Sequence, residues 1–173
     1  MDGKEPKTMD NSLLMRAAKN LIPLGVFLRE TSLHVQEDFN RHSCHETELD
    51  VLFKSSPGSK YKALLSEDED EGVILFQFEA GVRLVDPLID ESSDEFLKVE
   101  ILATFEAEYQ LVSIDDFNED GMSHFLNRNV PHHVWPYWRE FVQSTCARIG
   151  IPEIVIPFRI VSSVIESPND NSD

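Results

Sequence analysis

The unbroken alternation from Leu97 to Leu111 constrains the fold more than any other feature. Leu97, Val99, Ile101, Ala103, Phe105, Ala107, Tyr109 and Leu111 fall on one face of an extended chain, with Lys98, Glu100, Thr104, Glu106, Glu108 and Gln110 on the other. Side chains alternate with period 2 only in a strand. The segment therefore predicts a half-buried strand about 45–50 Å long. One apolar face of that length requires strands beside it and a cover above it.

The neighbours are legible in the same way. Ile74, Phe76, Phe78, Ala80, Val82 and Leu84 oppose Gln77, Glu79 and Arg83, a strand closed by Asp86-Pro87. Thr47, Leu49, Val51 and Phe53 alternate with Glu48, Asp50 and Lys54, and Ser55-Ser56-Pro57-Gly58-Ser59 reads as the turn after them. A first strand spans Leu24 to Val35, with Leu24, Val26 and Leu28 on one side and Phe27, Leu33 and Val35 on the other.

Helical spacing supplies the cover. Asn11 and Ser12 cap a short helix over Leu13–Leu21 that Pro23 ends. Asp116 and Glu119 read as a capping pair for a helix to about Asn127, with Met122, Phe125 and Leu126 inward. Pro131 interrupts it. A further helix starts near Trp135-Pro136, carries Trp138, Val142 and Ile149 flanked by Phe141 and Cys146, and stops at Gly150. Pro152 and Pro157 keep Ile154 to Phe158 extended. The expected class is α+β: a four-stranded, meander-like antiparallel sheet covered by two C-terminal helices, with a short extra N-terminal helix. The expected domain covers 11–165, between a loose segment 1–10 and an acidic tail 166–173.

Hydrophobic residues make up 41% and charged residues 27%, a globular balance. The net charge of −17 argues against phosphate backbones and anionic membrane surfaces as partners. The acids between Asp86 and Asp120 read as a solvated face, or as a docking surface for a basic partner. Two cysteines, Cys44 and Cys146, make no disulfide framework. The polar N-terminus and the absence of a long apolar run predict a cytoplasmic protein with no signal peptide and no membrane insertion.

Catalytic signatures are missing: the sequence has no Gly-x-Ser-x-Gly, no phosphate-binding loop with lysine, and no Gly-x-Gly-x-x-Gly. No enzymatic role and no cofactor are expected. Asp116-x-Asn118-x-Asp120-Gly121 matches half of a calcium loop, but Asn127 stands where a bidentate glutamate is required. Helix capping explains it better. His42-x-Cys44-His45 lacks the second pair that zinc needs, and His132-His133 is close only if folding brings it there. Trp135 and Tyr137 flank Pro136 and cannot both face inward, so one leaves the core.

Met122-Ser-His124-Phe-Leu126, Pro131, Pro136-Tyr137, Arg139-Glu140 and the segment from Pro152 to Phe158 form a run that resembles the C-terminal half of the SecB-like export chaperones. The resemblance covers about Pro23 to Ile160. It implies the SecB-like fold, assembled as a homotetramer (a dimer of dimers). It also implies an ATP-independent holdase that binds unfolded polypeptide clients in apolar grooves, with protein export as one setting. Client-binding positions implied by alignment are Leu49, Val51, Phe53, Phe125, Val130, Val134, Trp135 and Trp138. In the family, outer-face acids dock the translocation motor SecA; of that pattern Glu30 is present, while His34 replaces an acid. SecB-like proteins dedicated to one partner also exist, including those that guard an antitoxin in toxin–antitoxin systems.

Overall fold

The strand that is clearest in the sequence forms the middle of the sheet. A computed structural model describes residues 11–40, 42, 48–66 and 72–158. Helix α1 (Asn11–Asn20) precedes strands β1 (Leu21–Val35), β2 (Asp50–Leu65), β3 (Gly72–Val85) and β4 (Leu97–Leu111), and helix α2 (Glu119–Ile149) follows them. All pairings are antiparallel, in the order β1-β4-β3-β2. β2, β3 and β4 form the expected meander. β1 departs from it by lying beside β4, at the far edge from β2, which makes the topology a Greek key.

The apolar face of β3 and β4 carries the core. Ile74, Phe76, Phe78 and Val82 are at most 1% exposed, as are Val99, Ile101, Ala107 and Tyr109. α2 lies on this face with Met122, Phe125, Val130, Val134, Trp138 and Val142 turned inward. Phe125 packs between Phe76 and Tyr109, at ring separations of 5.7 and 5.1 Å. Ile151, Ile154 and Ile156 of the extended tail close the remaining gap.

The edge strands correct two expectations. The register of β1 shifts between Pro23 and Gly25 and again between Leu28 and Glu30. Each bulge reverses the phase of the side chains beyond it. Leu28, paired with Phe105, and Leu33, paired with Ile101, therefore share the helix-covered face, where simple alternation placed them on opposite faces. In β2 the segment Ser55 to Ser59 lies within the strand; pairing skips from Pro57 to Tyr61 and continues to Leu65. A Pro-Gly signal tolerated at an edge became a bulge.

The two expected C-terminal helices are one α2 of 31 residues that runs through Pro131 and Pro136. Each proline removes a backbone hydrogen bond, but burial of Val130, Val134 and Trp138 on either side outweighs that loss. The N-cap is Asn118, whose Oδ1 accepts from Gly121 N at 2.9 Å. Asp116, expected in that role, pairs with Arg16 at 3.1 Å. The calcium-like spacing thus resolves into capping, and Asn127 donates to the Ser123 carbonyl inside the helix. Gly150, at φ 73°, ends α2 as expected. Cys146 is buried, which pushes its thiol pKa up and suits a small core side chain. Cys44 and His45 lie outside the described residues, as do the segments 1–10 and 159–173.

A buried amide joins the start of the sheet to its end. Asn20 is 5% exposed; its Nδ2 donates to the Ser113 carbonyl at 2.8 Å and its Oδ1 accepts from Ser113 N at 2.7 Å. Its own carbonyl accepts from Val112 N at 3.0 Å. We expect Asn20→Ala to lower unfolding free energy by about 2 kcal/mol, because it strands the N–H and carbonyl of the half-buried Ser113. A urea titration monitored by circular dichroism checks this.

Candidate functional site

Exposed apolar side chains concentrate on the two edge strands. On β1 they are Ile22, Leu24, Phe27, Leu28 and Leu33; on β2 they are Val51, Leu52, Phe53, Leu64 and Leu65, and none lies on β3 or β4. Their faces follow from register, since directly paired residues point the same way. Val51 and Phe53 pair with Leu84 and Val82, so both lie on the helix-covered face, as do Leu28 and Leu33 on the opposite edge. α2 covers the middle of that face and leaves an apolar trough along each flank. Phe53 is 47% exposed and Leu33 49%.

The β1-side trough deepens into a cavity of ≈ 440 Å³ lined by Pro23, Leu24, Gly25 and Val26 from β1, Tyr109 from β4, and His132, His133, Pro136 and Tyr137 from α2. No carboxylate lines it, although the chain carries a charge of −17. At its floor Tyr109 and His133 Nδ1 are hydrogen-bonded at 2.7 Å. Burial pushes the tyrosine hydroxyl pKa well above its ordinary range. Burial, and then His132, hold the His133 imidazole below its ordinary value. Tyr137 is 48% exposed, so it is the member of the Trp135/Tyr137 pair that leaves the core. Trp135 is half-buried, and its Nε1 donates to the Pro157 carbonyl at 2.8 Å.

The implied client-binding residues divide sharply. Val51 and Phe53 are open, and Leu49 is half-buried against the core. Phe125, Val130, Val134 and Trp138 are at most 2% exposed and offer no surface in this subunit. They hold α2 on the sheet, because their spacing places them all on its inner stripe. Leu28 and Leu33 were missed as trough residues because the bulges hide their common face. The available signal was that both faces of β1 are apolar.

Glu30 is exposed on the opposite, uncovered face of the sheet. Three acids on that face are engaged. Arg29 bridges Glu106 at 2.5 Å and Glu108 at 3.2 Å, and Arg83 holds Glu100 at 2.5 Å. Such half-exposed pairs add little stability, but they quench the field a basic partner would meet. Among the described residues no three His, Cys, Asp or Glu side chains are grouped to hold a metal. No described helix is long and apolar enough to cross a membrane.

No family model matches the chain, and no curated protein matches it. Among solved structures, the SecB-like chaperone Rv1957 of Mycobacterium tuberculosis, in complex with a ChAD peptide from the HigA1 antitoxin Rv1956, superposes with a TM-score of 0.67. The match covers 88% of this chain and 98% of that one at 16% sequence identity. A protein of unknown function from Streptococcus agalactiae overlaps at a TM-score of 0.36 and 8% identity, too little to carry an argument. With its antiparallel sheet, bulged edges and long covering helix, the chain has the SecB-like fold.

Proposed function

We propose that this protein is a dedicated chaperone: a non-catalytic binding protein that holds one aggregation-prone polypeptide, of the antitoxin kind, in the troughs beside α2. The observation that carries the reading is the exposure of Val51, Phe53, Leu28 and Leu33 on the helix-covered face of the sheet. A soluble chain keeps such a surface open at a cost unless another chain covers it. Among the described residues β1 and β2 end the sheet, and their outer edges offer backbone groups that an extended partner can use. The likeness to a chaperone solved with an antitoxin peptide supports the same choice.

A general holdase for export is the second reading, favoured by the exposed Glu30. It fits less well, because Arg29 and Arg83 already engage Glu106, Glu108 and Glu100 on the same face. Either reading carries a cytoplasmic homotetramer as a further proposal. The deciding test has two arms, both without nucleotide. In the first, a urea-denatured model client is diluted into the protein; in the second, small proteins encoded next to this one are co-expressed with it. We expect little protection of the generic client and a stoichiometric soluble complex with one neighbour. Broad protection with no such complex would favour the general holdase, and neither effect would sink the chaperone reading.

A further inference from the structure

We infer that the hydrogen bond between Tyr109 and His133 is a proton-sensitive latch that pins the middle of α2 to the sheet and sets the shape of the β1-side trough. Only its last consequence, control of a bound polypeptide, rests on the function proposed above.

The geometry comes first. Tyr109 is 1% exposed, and its hydroxyl lies 2.7 Å from His133 Nδ1. The two rings pack at 5.8 Å, and Phe125 lies 6.3 Å from the imidazole. This is a polar contact between sheet and helix within an otherwise apolar layer. It falls where α2 is least able to hold itself. Pro131 and Pro136 have no N–H, so the carbonyls of Asn127 and His132 lack their usual helical donors. Side-chain contacts to the sheet therefore matter more between these prolines than elsewhere along the helix.

The chemistry of the contact makes it sensitive to protons. In the tautomer protonated at Nε2, the Tyr109 hydroxyl donates to Nδ1. A second proton occupies Nδ1 and leaves the imidazolium with donors only. The hydroxyl must then turn to accept, and its own hydrogen loses its partner at the floor of the cavity, where Tyr109 is 1% exposed. No anion compensates the new charge. His133 faces Tyr109 from β4, and His132 and Tyr137 from its own helix; the β1 stretch contributes no titratable group. The half-buried imidazole thus resists protonation in the closed state. The sign follows: the open state binds the proton first, so stability of the latch is complete above the ordinary histidine pKa and declines as pH falls below it.

Amide hydrogen exchange on the whole protein tests this, corrected for the intrinsic pH dependence of exchange. We expect protection of amides between residues 132 and 138 to fall about tenfold from about pH 7.5 to about pH 5.5. In His133→Asn, which cannot take up the proton, protection should change less than about twofold over the same range. Imidazole NMR of the wild type supplies a readout that needs no variant: His133 should be half-protonated below the ordinary value of about 6.5. Protection independent of pH, an equal loss in His133→Asn, or a His133 midpoint at or above the ordinary value would overturn the latch. A protein that binds no polypeptide at any pH would sink the chaperone reading and leave the exchange result to judge the latch alone.

Discussion

Trp138→Ala is expected to lower the unfolding free energy by about 3–5 kcal/mol, the largest stability loss of any substitution argued for this chain. Trp138 is 1% exposed. Its indole stacks on Phe141 at 6.2 Å, and Phe141 meets Phe105 of β4 edge-on at 6.4 Å. Truncation opens a void at the point where α2 is anchored on the sheet, and the strands beneath are too constrained to collapse into it. Trp135 is the internal control. It lies three residues away, half-buried, with its Nε1 on the Pro157 carbonyl. Trp135→Ala should cost about 1–2 kcal/mol, from one lost hydrogen bond and part of its apolar packing against the core. Urea denaturation of both variants measures the difference. If Trp135→Ala costs as much as Trp138→Ala, the orientation of α2 is wrong.

The central strands were legible because tertiary structure added nothing to their local pattern. In β3 and β4 the alternation holds on the covered face from Ile74 to Leu84 and from Val99 to Leu111, and the pairing slips only at Leu84/Val85. Legibility failed wherever packing overruled a local signal. Two prolines in α2 read as a link between helices, yet six buried side chains along one stripe keep the helix continuous. Pro57-Gly58 read as a turn and became an edge bulge. The first bulge in β1 carries a mark, since Pro23 and Gly25 flank Leu24, but the second, at Arg29, has none. Each nevertheless turns the rest of the strand over. The place of β1 beside β4 is a choice of edge that the pattern of a single strand does not encode.

The candidate site shows the same division. Residues placed there through the family likeness were of two kinds that sequence does not separate. Val130 and Trp138 follow the helical spacing of core residues and are core. Val51 and Phe53 follow a strand spacing that also predicts burial, yet they remain open because the covering helix is too narrow to cover both edges of a four-stranded sheet along their length. The width of the sheet therefore creates the troughs: strands sit about 4.8 Å apart, and one helix of about 10 Å diameter touches all four but cannot cover the full length of the edge strands. The exposed residues are the geometric remainder of that mismatch.

The troughs are separable from the fold. Val51→Ser with Phe53→Ser removes apolar area that the subunit leaves exposed, so stability should fall by less than about 1.5 kcal/mol. Binding should suffer more. Covering the open parts of these two side chains contributes about 2–3 kcal/mol to association, so Kd for the partner should rise roughly 30- to 100-fold. Leu28→Ser with Leu33→Ser should have a similar effect from the other flank, since those residues are about equally open. The flanks share no side-chain contact, and the two losses should add if one extended partner threads both. Calorimetric titration of the co-expressed neighbour, with circular dichroism to confirm folding, reads all three variants. If only one pair weakens binding, the partner lies on that flank alone. Full affinity in the quadruple variant, with the fold intact, would mean that the open apolar rows beside α2 are not where another chain is held.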